Sequence, residues 1–536
     1  MTKALTPTQF CEQQTPHYID SSVPELRKEK GQFFTPANIA LFMASLAEYR
    51  KKNLRVLDAG AGIGILSCAI CEIVSNKKTV KNIEIVAYED HPPLIAILRK
   101  SYEHAKKWLS NHDINLTYKI IEKDFILDTE HNLFSKRPAP FDITIGNPPY
   151  FKINKNDPRA SETTKYVYGQ PNIYALFMGV AAELLKENGL MVYIIPRSFA
   201  AGPYFKLFRK NYFKMMTPER VHIFESRTDA FKTQEVLQEN IILKARKAKK
   251  TDDLTISVSN GLRDLKHPKK FKLPLSFVMH KINDDMILRL PLCKEDMEII
   301  DLVESWKGNL HKYGWEISTG PVVPFRATHF IHNEKEPKKK SVPLLWMQNV
   351  QLMNVVWPRF DIKNGKSKPQ FIIENDGSLK KRLLINDQNT VLLRRFSAKE
   401  DKRRLTAAPL FEGTLGSKLI GVENHINYIY SRYGHINKLQ TLGLCALLNS
   451  SLLDKYFRVS NGNTQVSATE IRSMPMPSQD QIENIGKEIY RANHVFSHDE
   501  VDSLIYKKLA KELVREQNYR RTKNSKSFGS SSSAAK

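Results

Sequence analysis

The chain has 536 residues, with 82 Lys and Arg against 57 Asp and Glu, for a formal net charge of +25. That length holds about two or three cores, and the basic excess points to a polyanionic partner, nucleic acid before an anionic membrane surface. No apolar run reaches the roughly 20 residues that span a bilayer, and the opening MTKALTPTQF lacks the apolar core of a secretory signal, so membrane insertion is not expected and a cytoplasmic location is.

Residues 1–24 are polar with scattered prolines and read as an arm or weak helix. Next comes GQFFTPANIALFMASLAEY, where Thr35 can cap a helix that Pro36 begins, with Ile39, Phe42, Met43 and Leu46 along one face. A short strand from Arg55 to Asp58 runs into Asp58-Ala-Gly60-Ala-Gly62-Ile-Gly64 and an apolar helix. Glycines between strand and helix let the backbone approach a ligand closely. The G-x-G-x-G spacing disfavours a dinucleotide pyrophosphate and favours a small cofactor with an amino-acid end. Cys68 and Cys71 form a C-x-x-C inside ILSCAICEIV; an apolar helix and no second pair make them buried small side chains. Five cysteines in the chain suit a reducing compartment.

The strand IEIVAYED ends in Glu89 and Asp90, where a carboxylate can accept from ribose hydroxyls. After an amphipathic helix, LTYKIIEKDF ends in Asp124 and Phe125, placed to hold a purine by its amine and one face. The next strand, FDITIGNPPY, breaks at Gly146 into Asn147, Pro148, Pro149 and Tyr150. Proline fixes φ, so the carbonyl of Pro148 takes a preset direction beside the Asn147 amide. Tyr150 adds a stacking face, and two acceptors with a ring suit the exocyclic amine of a planar base. Consecutive strands thus end in candidate ligand residues, and open α/β sheets bind ligands at the carboxyl edge of their strands.

A helix closed by Gly189, the strand LMVYIIP, a basic aromatic helix and the strands VHIFESRTDAF and ENIILKARK complete the unit, with Phe231 in the last connection. Residues 248–290 are lysine-rich and read as a linker with a short hairpin at LTISVSN. Residues 291–520 carry short strands and basic clusters, ending in a helical pair; the densest cluster is Arg394, Arg395, Lys399, Lys402, Arg403 and Arg404. With interleaved aromatics these, and Arg326, are candidate DNA contacts. Residues 521–536 are of low complexity and are expected to be disordered.

From residue 25 to 247 the order of GQFFTP, glycine loop, acidic strand ends and N-P-P-Y resembles the gamma-class adenine-N6 DNA methyltransferases of bacterial type II restriction–modification systems. More loosely, STGPVV, LLRRFSAKE and NGNTQVSATEIR resemble their recognition half. The resemblance implies a Rossmann-like α/β domain followed by a mixed α+β target-recognition domain, with S-adenosylmethionine as cofactor. Thr35 and Pro36, with Asp58, Gly60, Gly62 and Gly64, would hold its methionine part, Glu89 or Asp90 its ribose, and Asp124 with Phe125 its adenine. Asn147, Pro148, Pro149 and Tyr150 would take the target base, with Phe231 on its other face. Double-stranded DNA is the implied substrate, a separate restriction endonuclease the functional partner, and a monomer the acting form. No metal is called for, because the sulfonium is itself the electrophile. An RNA or glutamine-amide methyltransferase, or a catalytically dead DNA-binding subunit, are the rivals; the basic second half and the intact Asn147 speak against each.

Overall fold

The computed structural model describes residues 4–21, 34–128, 140–224, 240–248, 251–282, 284–333, 340–359, 368–374, 383–397, 403–460 and 465–510. The chain divides into two compact units, Met1–Leu292 with Ser460–Gly462, and Cys293–Val459 with Asn463–Lys536. Phe231, Lys399 and Lys402, and the segment 521–536, lie outside the described residues.

In the first unit, α1 (Pro7–Ser21) and α2 (Ala37–Ser45) precede β1 (Asn53–Ala59), α3 (Ile65–Val74), β2 (Asn82–Tyr88), α4 (Pro92–Ser110), β3 (Asn115–Ile121) and β4 (Phe141–Gly146). Then follow α5 (Pro158–Glu162), α6 (Ile173–Glu183), β5 (Leu185–Pro196), α7 (Lys206–Met215), β6 (Met216–Phe224), β7 (Asn240–Lys247), β8 (Asp253–Ser259) and β9 (Lys269–Pro274). The nine strands form one sheet in the order β3-β2-β1-β4-β5-β7-β6-β8-β9. Strands β3 to β5 run parallel, while β7 lies antiparallel to both β5 and β6. All of β4 is buried, as an apolar strand covered on both faces requires.

Of residues 1–24, expected as an arm or weak helix, Pro7–Ser21 are not a loose arm but the packed helix α1: Cys11 and Tyr18 are buried, Thr8 Oγ1 donates to Glu72 at 2.7 Å, and Glu12 accepts from the Ala37 amide at 2.9 Å. That last bond satisfies the start of α2, which the sequence assigned to Thr35; Pro36 is the cap residue and no side chain of its own caps the helix. Nor is 248–290 a linker. Strand β8 pairs parallel with β6 and antiparallel with β9, extending the sheet. Apolar Leu254, Ile256 and Val258 alternate along it with polar residues, which is the period of a strand.

The second unit is mixed α+β. A four-stranded sheet holds, in order, Trp315–Thr319, Ile426–Ser431, Thr390–Arg394 and Ala407–Leu410. A five-stranded sheet holds Ile331–His332, Phe371–Glu374, Lys340–Leu345, Leu419–Val422 and Leu384–Asn386. Helices Lys438–Asn449, Gln479–Ala492 and His498–Leu509 pack as a group, each begun by an N-capping side chain.

Candidate active site

Strand register decides what meets at the carboxyl edge. Leu57 pairs with Val86 and with Thr144, and Tyr88 with Ile121, so β1, β2, β3 and β4 end side by side. The residues just beyond them wall a cavity of about 370 Å³ that includes Thr35, Gly60, Gly62, Glu89, Asp124 and Asn147. Asp90, Phe125 and Pro149 also line it, so most of the sequence-predicted site converges on one space.

The glycine loop turns through left-handed conformations at Gly60 (φ 73°), Gly62 (φ 58°) and Gly64 (φ 84°), which a residue with a Cβ enters only at a cost. A Cβ on Gly62 would meet nothing within 4 Å, whereas one on Gly64 would come within 2.6 Å of Leu98. Gly62 therefore opens the backbone to a ligand, and Gly64 packs the loop onto α4.

Glu89 is buried at the loop's edge. Its Oε2 accepts from the Gly62 amide at 2.8 Å and its Oε1 from the His91 amide at 3.0 Å. Burial pushes its carboxyl up to about 7 against those two bonds. Asp90 is exposed beside it, so the geometry selects Glu89 as the carboxylate fixed against the glycine loop. Asp124 Oδ1 accepts from the amides of Ile126 at 2.9 Å and Leu127 at 3.1 Å, which caps the helical turn that follows. Phe125 packs edge-on to Tyr88 (5.1 Å) and tilted against Phe177 (5.2 Å), building an aromatic wall.

At the end of β4, Asn147 is held from two sides. Its Nδ2 donates to Thr35 Oγ1 at 3.0 Å, and its Oδ1 accepts from the Tyr150 hydroxyl, which also bonds Ile194 O at 2.9 Å. Of the predicted residues, Pro36, Asp58, Gly64, Pro148 and Tyr150 are not among those that line the cavity. Asp58 is fully buried behind the loop instead of on the cavity wall: its Oδ2 accepts from Ser67 Oγ at 2.5 Å, and burial raises its carboxyl to about 6. Tyr150 is 7% exposed and sits edge-on to Tyr174 at 6.1 Å, so its ring offers no open stacking face in this conformation. Thr35 touches Asn147 where a cap was expected.

Arg159, on α5, also lines the cavity. Its guanidinium pairs with Asp157 at 2.7 Å, lies 3.7 Å from Asp124 and covers the Phe151 ring at 5.7 Å. Asp157-Pro158 announces a helix start, but nothing local says that the turn folds back to the cavity. Phe34, Phe151 and Phe177 are further lining residues the sequence reading missed.

In the second unit, Arg403 is an internal residue, contrary to expectation. Its guanidinium pairs with Asp502 at 2.5 Å and donates to Asn449 O, tying the segment before Ala407 to two helices. Arg394 Nε donates to Val350 O at 2.7 Å and Arg395 to Asn424 O at 3.1 Å, while Arg326 is exposed.

A sheet with this strand order, its antiparallel β7 and a glycine loop after β1 define the S-adenosylmethionine-dependent methyltransferases. Residues 41–231 match the family model described as Eco57I restriction-modification methylase. The chain is 32% identical to the type II methyltransferase M.PstI of Providencia stuartii over 485 residues, covering 90% of this chain and 94% of that protein. It is 33% identical to the type II methyltransferase M.BsuBI of Bacillus subtilis, covering 89% and 93%. The type IIL restriction-modification enzyme MmeI, solved in complex with DNA, shares the fold with a TM-score of 0.54 at 12% identity, over 94% of this chain and 73% of that one. The chain belongs to the type II methyltransferases of restriction–modification systems.

The cavity fits the cofactor this class uses. Open space at Gly62, a buried carboxylate beside it and the Phe125 wall suit, in turn, an amino-acid end, a ribose and an adenine.

Proposed function

We propose that the chain methylates the N6 amine of an adenine flipped out of double-stranded DNA at a specific short sequence, protecting it from a separate restriction endonuclease. What carries the reading is that Asn147 and Pro149, from the Asn147-Pro148-Pro149-Tyr150 run that ends β4, line the same cavity as Gly62 and Glu89. When bound, S-adenosylmethionine supplies a methyl group on a positively charged sulfur.

The chain's own residues then act by position. An adenine amine is a weak nucleophile because its lone pair is delocalised into the ring. The Asn147 carboxamide and the Pro148 carbonyl accept its two hydrogens, which favours a pyramidal nitrogen with its lone pair turned to the methyl carbon. As the N–C bond forms, the methyl carbon's bond to sulfur breaks with its electron pair left on the neutral thioether, and the amine becomes cationic and afterwards releases one proton to solvent. Alignment of this kind supplies up to roughly 7 to 11 kcal/mol.

A base inside a duplex reaches the cleft only when flipped, at a cost of a few kcal/mol. Stacking returns about 1 to 3 kcal/mol per base. Tyr150 is assigned that role together with Phe231, and its buried ring must turn outward to perform it. Pro36, Gly60, Gly62, Glu89 and Asp124 with Phe125 bind the cofactor, Thr35 orients Asn147, and Arg326, Arg394, Lys399 and Arg404 contact DNA. The acting form is a monomer, since each strand of a site can be methylated in a separate event.

The test is incubation with mixed-sequence plasmid and labelled S-adenosylmethionine, followed by single-molecule sequencing for modified bases. N6-methyladenine confined to one motif is expected. Label in RNA or protein but not in DNA would overturn the substrate.

A further inference from the structure

The second unit's four-stranded sheet has one end at which segments far apart in sequence are pinned together. The Gly320 amide donates to Ile426 O at 2.8 Å, Val322 to Val422 O at 3.0 Å, and Asn424 back to Val322 O at 2.9 Å. Gly320 is required there, since a Cβ on it would lie 2.3 Å from Glu423 O. Arg395 joins the same end: its amide donates to His425 O at 2.9 Å, and its carbonyl accepts from Val466 at 2.8 Å.

The side chains on these segments form a connected polar set. His425 Nδ1 bonds the carboxylate of Glu423, a side chain only 1% exposed, while the His425 side chain is 45% exposed. The second Glu423 oxygen has no hydrogen-bond partner among the described residues. The His425 ring is edge-on to Phe396 at 4.9 Å. Arg395 donates through one nitrogen to Asn424 O at 3.1 Å and through another to Gln465 Oε1 at 3.4 Å. Gln465 is exposed, and the next turn of chain from Val322 carries Phe325, 74% exposed, and exposed Arg326.

A buried carboxylate is unfavourable unless it is paired. Here it fixes an exposed imidazole through Nδ1, so that Nε2 presents outward in one direction. Arg395 likewise takes the Gln465 carbonyl and leaves the amide N–H groups as the outward donors. Fixed side-chain donors and acceptors are what base edges require, whereas phosphate contacts need only flexible charge.

We propose that this end of the sheet reads base edges of the duplex, with His425 and Gln465 as the specificity-determining side chains and Glu423 and Arg395 as their positioning residues. It rests on the DNA reading above and adds which residues discriminate sequence. The occupant is the major groove of DNA, in keeping with the basic charge of the chain and the exposed Phe325–Arg326 pair beside the cluster.

The experiment uses the full chain, the motif found for the wild type, and duplexes altered at each single base pair of it. His425→Ala and Gln465→Ala should lower kcat/KM on the cognate duplex by roughly 5- to 150-fold, while altered duplexes lose much less at one position each. Cofactor affinity and binding to unrelated duplex stay at wild-type values. Glu423→Gln, which keeps shape, should relax the same base pair as His425→Ala and add little to it in the double variant. A uniform loss across all duplexes, or no loss, overturns the inference while leaving DNA methylation intact. A Glu423→Gln enzyme with lowered stability but unaltered discrimination overturns the positioning role. If the wild type binds cofactor yet methylates no DNA, the reading beneath the inference fails with it.

Discussion

Asn147 Nδ2 donates to Thr35 Oγ1 at 3.0 Å, joining the end of β4 to a residue 112 positions earlier, just ahead of α2. The bond orients the carboxamide that is proposed to hold the target amine. Thr35→Val keeps the shape and removes the acceptor. A hydrogen bond of this kind is worth about 0.5 to 1.5 kcal/mol, so kcat should fall roughly 2- to 10-fold with cofactor Kd nearly unchanged. Asn147→Ala should abolish methylation with cofactor binding retained. A parallel loss of cofactor affinity in Thr35→Val, measured by calorimetry, would return Thr35 to the cofactor.

Tyr150 separates two roles that a single alanine variant confounds. Tyr150→Phe keeps the ring but removes the hydroxyl that bonds Asn147 Oδ1 and Ile194 O. It should lower kcat by a factor of a few on duplex DNA. Tyr150→Ala, which also removes a stacking face worth about 1 to 3 kcal/mol, should lower it further, and a mismatched target base, being cheaper to flip, should recover part of that loss. Phe231→Ala is expected to follow Tyr150→Ala. Equal turnover by all three variants on duplex DNA removes the stacking role.

The sheet was readable wherever period and punctuation agreed. Alternation in Phe141, Ile143 and Ile145, the Gly146 break and the glycines after Asp58 located the strand ends, and parallel register did the rest. Long-range pairing was not readable. Strand β8 looked like an isolated hairpin because its partner β6 lies across an intervening strand, and the Glu12 to Ala37 bond that starts α2 links residues 25 positions apart. Local chemistry also misplaced side chains whose partners are distant. Asp58 reads as a cavity residue, whereas its Oδ2 accepts from Ser67, and Arg403 reads as an exposed cation, whereas its guanidinium pairs with Asp502. The apolar run from Leu439 to Tyr456 has no glycine or proline near its middle to mark an end. It breaks at Ser450, between Lys438–Asn449 and Ser451–Ser460, where Asn449 turns its amide to the Ala407 carbonyl at 2.8 Å.

Glu89 gives the enzyme a pH dependence with opposite signs for stability and binding. Burial raises its carboxyl from 4.5 to about 7, so the folded chain holds a proton that the unfolded chain has released. That contribution to stability is fully present below about pH 4.5 and is lost as pH rises through about 7. Asp58, raised to about 6, acts in the same direction. In the proposed ribose-binding role the sign is opposite, because only an ionised carboxylate accepts freely from ribose hydroxyls. Affinity for S-adenosylmethionine should therefore weaken as pH falls below about 7, and Glu89→Gln should bind weakly with that dependence removed. An unchanged pH profile in Glu89→Gln would assign the titration elsewhere.

Gly443 and Gly486 set how closely two helices of the second unit pack. A Cβ on Gly443 would lie 1.8 Å from Ile482 O, and one on Gly486 would lie 1.8 Å from Leu439 O. Each glycine therefore admits the other helix's backbone, and the contact is reciprocal between Lys438–Asn449 and Gln479–Ala492. Replacing either by alanine gains about 1 kcal/mol of helix propensity. Overpacking typically costs about 1 to 3 kcal/mol, and it reaches the upper end here because the obstacle is backbone and cannot change rotamer. Gly443→Ala should thus lower stability by about 2 kcal/mol net, a fall in Tm of roughly 4 to 8 °C. DNA binding should weaken with it, while cofactor affinity, which belongs to the first unit, stays at the wild-type value. A rise in Tm would mean that the helices separate at no cost and that propensity alone governs the site.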